Sequence, residues 1–127
     1  MKRSARALLA LVAASAASCT TPGTGWSRAP DLSVYAAMGN FRDLAREQAV
    51  LCGGFSPSRV DMVWAEDFGA REAAVASEMR ARHGPDAVEA AADSAEPRVP
   101  CDNVPTLKWR HRYERLLRLL EGRFGLA

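Results

Sequence analysis

The chain predicts an all-α fold: a small up-and-down helical bundle of three longer helices and one short one, with one disulfide and a disordered N-terminal tether. Three observations carry this. Apolar residues recur at helical spacing in successive stretches between Asp31 and Phe124. Residues that open helices stand just ahead of these stretches, as Ser56-Pro57 does. Residues that close helices follow them, namely Gly53-Gly54 and His83-Gly84-Pro85.

The first helix is expected from Asp31, read as an N-cap after Pro30, to Cys52. Val34, Met38, Phe41, Leu44, Ala45, Gln48 and Cys52 share one side, so Cys52 is expected to face inward. Asn40, Asp43, Arg46 and Glu47 fall opposite, and Gly53-Gly54 supplies the left-handed conformation that ends a helix. The second helix has the clearest start: Ser56 caps, Pro57 takes the first helical position, and Asp61 sits near the positive end of the dipole. Trp64, Phe68, Val75 and Met79 form its apolar seam. Asp67–Arg71 and Glu78–Arg82 are spaced as i,i+4 ion pairs, and Gly69 weakens the middle. Pro85 to Asp93 is alanine-rich and reads as the short helix. Ser94 to Pro100 reads as an extended connection, because each proline pushes its predecessor out of the helical region. The last helix opens near Asn103-Val104-Pro105 and runs to Gly122 or Gly125. Trp109, Tyr113, Leu116, Leu117, Leu120 and Phe124 make its apolar stripe.

Ahead of the bundle lie Lys2, Arg3 and Arg6, then the apolar run Ala7–Ala14, then small residues up to Cys19. This is the three-part layout of a secretory signal, and the run is too short to span a bilayer. Ala17-Ser18-Cys19 resembles the lipobox of bacterial lipoproteins, although Ala16 stands where that family usually carries Leu. The resemblance covers the leader alone. It implies cleavage before Cys19, lipidation of that cysteine and, with Thr20 following it, sorting to the outer membrane facing the periplasm. The alternative is cleavage at Ala14-Ser15-Ala16, which releases a soluble periplasmic or secreted protein. The predicted organisation is therefore a signal peptide over 1–18, a lipidated cysteine and tether over 19–30, and a helical domain over 31–127. Thr20 to Gly25 has tether composition, and Trp26 within it either rests at a lipid interface or folds back on the domain.

Cysteine arithmetic favours lipidation. Three cysteines leave an odd thiol in an exported chain, and acylating Cys19 leaves Cys52 and Cys101 as a pair. A bridge there closes a loop of about fifty residues, worth on the order of 4 kcal/mol in the chain-entropy model.

The three cations of the leader more than account for the formal charge of +2. Without Lys2, Arg3 and Arg6, 14 basic residues face 15 acidic ones, so net charge gives no support for nucleic-acid binding. The distribution is uneven: residues 31–96 carry −6 and residues 97–127 carry +4. Lys108, Arg110, Arg112, Arg115 and Arg118 thus form a candidate basic binding face for anionic lipid or an acidic polymer. Trp109 and Tyr113, interleaved with them, belong to the apolar stripe and are expected in the core.

Chemistry finds little purchase. His83 and His111 are far apart, no Cys-x-x-Cys or His-x-x-x-His occurs, and no metal or cofactor is expected. Ser56 and Ser58 read as capping residues, no Gly-x-Ser-x-Gly is present, and no catalytic residue is assigned. Glu66 and Asp67 diverge around a helix instead of facing each other as an acid–base pair. By elimination and address, the expected function is that of a non-enzymatic envelope lipoprotein. It would be membrane-held through its lipid, and act as adaptor, inhibitor or assembly module on another envelope protein. The alternative is a peripheral membrane or polyanion binder acting through the basic face. A third reading, an envelope enzyme, requires a pocket whose polar groups converge on His111 or Glu66.

Overall fold

A computed structural model describes residues 25–93, 101 and 106–126. Five helices follow one another among them: α1 (Gly25–Arg28), α2 (Asp31–Leu51), α3 (Pro57–His83), α4 (Pro85–Ala92) and α5 (Thr106–Phe124). No strand occurs among the described residues. The three long helices, the short α4 and the Cys52–Cys101 disulfide make the predicted bundle. The connection predicted over 94–100 lies outside the described residues.

The topology follows from where helix ends meet. Asp31, first in α2, touches His83 at the end of α3 and Arg123 near the end of α5. α2 is therefore antiparallel to both, and α3 and α5 run parallel. Parallel neighbours need a return connection, and α4 begins it, with Val88 plugged into the core. The largest interface joins α2 to α5. Val34 and Met38 from α2, Phe68, Val75 and Met79 from α3, and Tyr113, Leu116, Leu117, Leu120 and Phe124 from α5 fill the centre. These are the predicted stripes, meeting as helical periodicity requires. Around them, Trp64, Phe68 and Tyr113 form an aromatic trio with centroids 4.7 to 5.0 Å apart. Half-buried Trp109 stacks on Phe41 at 6.0 Å.

Three local expectations change. Asp31 does not cap α2: Pro30 takes the N-cap position, and the freed carboxylate bonds His83 and Arg123 instead. Cys52 is exposed, not inward, because the helix has already unwound into the Gly53-Gly54 turn. The Asp67–Arg71 pair does not form; Arg71 reaches Glu121 at 2.6 Å and Asp67 takes Arg110 at 2.7 Å, both across the α3–α5 interface. Arg123 donates to the carbonyls of Trp26 and Ser27 and holds α1 against the bundle. Ser56 caps α3 as expected, accepting from the Arg59 amide at 3.3 Å. Glu78–Arg82 forms as spaced, and Glu114 pairs with Arg118 at the same i,i+4 interval.

Candidate functional site

Most large apolar side chains left at the surface gather at the disulfide end of the bundle. Phe55 is 57% exposed and Leu107 63% exposed, and both line a cleft of about 410 Å³ with Val60, Val63, Trp64 and Ala45. Among the described residues its only charged lining residues are Arg59 and Arg110. The volume falls at the lower end of the range for small-ligand sites, and the lining has their usual character: apolar walls with few polar groups.

The turn before α3 builds one side of this cleft. Gly54 has φ of 70°, a left-handed conformation that favours glycine. At Gly53 a Cβ would lie 2.8 Å from the Ala49 carbonyl oxygen and 2.9 Å from the Phe55 ring, so only glycine lets the chain turn this tightly. The Phe55 amide bonds the Ala49 carbonyl at 3.2 Å, fixing the ring over the end of α2. Ser56 and Pro57 then start α3, whose first turns present Arg59, Val60, Val63 and Trp64. Leu107 and Arg110 arrive from the first turns of α5, and the 5.4 Å Cα–Cα span of the Cys52–Cys101 bridge closes the same end. Arg110 is held by Asp67 and lies 4.8 Å above the Phe68 ring. The Arg59 guanidinium has no carboxylate partner among the described residues.

A second, more polar crevice of about 240 Å³ lies between α2 and α3, sharing Val60 and Trp64 with the cleft. Arg42, Glu72, Arg46 and Asp61 line it as two ion pairs, Arg42 with Glu72 and Arg46 with Asp61 at 2.7 Å. Behind it the Tyr113 hydroxyl is fully buried, near Glu72 and Trp64 but without a hydrogen bond of good geometry. Burial first, and the Glu72 carboxylate second, push its ionisation well above the usual phenol value. A tyrosine so placed stays protonated, and Glu72 is committed to Arg42. Among the described residues the crevice therefore has neither a free base nor a free nucleophile. His111 and Glu66 are exposed and line neither cavity. Among the described residues no cluster of His, Cys, Asp or Glu suits a metal ion, and no helix is long and apolar enough to cross a membrane.

The predicted basic face is largely occupied. Arg110 pairs with Asp67 and Arg118 with Glu114 at 2.9 Å. Arg112 lies over the Trp109 and Phe41 rings, and Lys108 lies over Trp109. Arg115 is exposed and has no partner among the described residues. Cys19 lies outside the described residues.

Sequence reasoning missed the cleft. Phe55 stands in a turn and Leu107 at the head of a helix, where periodicity carries no signal. A phenylalanine following a glycine pair was the available clue. Compared with protein-family models, curated proteins and solved structures, the chain matches none.

Proposed function

We propose that the protein is a non-enzymatic, lipid-anchored envelope module that binds another envelope component through the cleft at its disulfide end. The observation that carries this reading is the cleft itself. Phe55, Val63 and Leu107 stay in solvent although their side chains have the same chemistry as the core, and grouped exposed apolar residues mark contact sites. The address comes from the leader: with Cys52 and Cys101 bridged, Cys19 is left as the cysteine that the lipobox-like sequence offers for acylation. Sorting to the outer membrane, facing the periplasm, belongs to the same proposal.

The polyanion- or membrane-surface reading keeps Lys108, Arg112, Arg115 and Arg118, all exposed along α5. It is the weaker reading, since Glu114 already neutralises Arg118 and aromatic rings hold two of the others.

A photo-crosslinking amino acid placed in turn at Val63, Leu107 and Arg115 of the full chain in cells separates these readings. The module reading expects crosslinks to one envelope component from Val63 and Leu107 and none from Arg115. Crosslinks from Arg115 alone would overturn it in favour of the basic face. Intact mass of the extracted protein then reports acylation at Cys19, and an unacylated product beginning at Ser18 or earlier removes the anchor.

A further inference from the structure

We propose that the cleft is a binding site for a fatty-acid-like amphiphile: one acyl chain lying among Phe55, Val60, Val63, Trp64 and Leu107, with its carboxylate on the Arg59 guanidinium. This rests on the cleft being the protein's binding site and names the chemistry of what fills it.

Three features lead there. The first is charge. Arg59 brings a fork of N–H donors to an apolar wall with no acid among the described residues to meet it, whereas the other arginines among the described residues lining the two cavities, Arg42, Arg46 and Arg110, are each paired with a carboxylate. A carboxylate matches that fork in two parallel bonds. The second is the lining. Apart from the two arginines it offers no polar side chain among the described residues, and from Val60 onward the α3 wall keeps its backbone N–H groups within the helix. An extended peptide would leave its own amides and carbonyls unbonded there, at a cost an acyl chain does not have. The third is length. The wall from α3 runs from Arg59 to Trp64, about 8 Å of helix at 1.5 Å per residue. A docking helix uses anchors from i to i+7, spread over roughly 10 Å, and overshoots such a wall. A volume of about 410 Å³ suits a single narrow chain.

The bilayer is a poor occupant. α1, through which the anchored N-terminus joins the bundle, is tied by Arg123 to the far end of α5, whereas the cleft sits at the Leu107 end. A free amphiphile reaches the cleft without that constraint.

The test uses the full chain carrying Cys19→Ser, so that no covalent acyl group competes, purified without detergent and titrated calorimetrically below micelle concentrations. The probes are dodecanoate, dodecanol, dodecyltrimethylammonium and a single-chain lysophospholipid. Dodecanoate is expected to bind saturably at one site, more tightly than the other three. Arg59→Ala, a change at an exposed position, should weaken dodecanoate roughly tenfold or more and leave dodecanol unchanged. Val63→Glu should abolish both, with circular dichroism confirming that the helices persist. Equal affinity for all four probes, or indifference of dodecanoate to Arg59→Ala, overturns the carboxylate assignment. Tighter lysophospholipid binding, or displacement of dodecanoate by an acid-flanked amphipathic helical peptide, overturns the fatty-acid assignment. No saturable binding of any probe, with Val63 crosslinks still present in cells, removes this proposal and leaves the binding-module reading standing.

Discussion

Asp31 and Arg123, ninety-two positions apart, meet at 2.8 Å, and His83 Nε2 lies 2.8 Å from the same carboxylate. One acid thus ties the start of α2 to the ends of α3 and α5. Burial opposes its charge, but the hydrogen bonds from His83 and Arg123 outweigh that and hold its pKa below the ordinary 3.8. A depressed carboxylate contributes stability that is present above the unfolded pKa and lost as pH falls through the folded one. Urea midpoints should therefore decline below about pH 4. Asp31→Asn should lower the midpoint at neutral pH and flatten that acid limb. An unchanged acid limb in the variant would show that other carboxylates govern it.

The disulfide gives a larger effect. Reducing Cys52–Cys101, or replacing both with serine, should lower unfolding free energy by about 4 kcal/mol, measured with and without reductant. The loss should reach dodecanoate binding too, because the bridge closes the end of the bundle that carries the cleft.

Core and cleft separate cleanly by substitution. Leu117 is fully buried, and Leu117→Ala should cost about 2–5 kcal/mol. Leu107→Ala, at an exposed position, should change stability by less than about 0.5 kcal/mol yet reduce crosslinking from Val63. A large stability loss from Leu107→Ala would mean that the residue is structural.

Tyr113→Phe runs against the usual cost of trimming a buried side chain. The hydroxyl is fully enclosed without a well-formed hydrogen bond, so its removal should be neutral or stabilising by up to about 1 kcal/mol. Its raised pKa also means that stability is intact below pH 10 and falls at higher pH, as the unfolded chain ionises first. Absorbance of the phenolate from Tyr113 should appear only with alkaline unfolding.

Gly53→Ala tests the turn. A Cβ pressed against the Ala49 carbonyl and the Phe55 ring should displace that ring, lower the melting temperature and weaken binding in the cleft. Gly54→Ala should cost about 1–2 kcal/mol through backbone strain alone.

The helices were legible because burial stripes and breakers are local signals. Val34, Met38, Phe68, Val75, Tyr113 and Leu117 announce themselves by spacing, and Ser56-Pro57 and Gly84-Pro85 by residue type. Ion pairs were legible only where nothing better competed. Glu78–Arg82 formed as spaced, whereas Arg71 left Asp67 for Glu121 on another helix, a choice fixed by packing that spacing cannot reveal. Asp31 looked like a cap, but Pro30 took that place and freed the acid for a tertiary role. The cleft was hidden for a related reason. Its members come from a turn and three helix ends and converge only once α5 lies beside α3.

The broad contact between α2 and α5 joins the opening of the domain to its close. A polypeptide made from its N-terminus emerges with α2 well before α5, so Val34 and Met38 wait in water until the nineteen-residue α5 follows. Folding during synthesis is thus a race between late completion and early capture by proteases or holding chaperones. A chain cut short before α5 leaves that face of α2 without its cover.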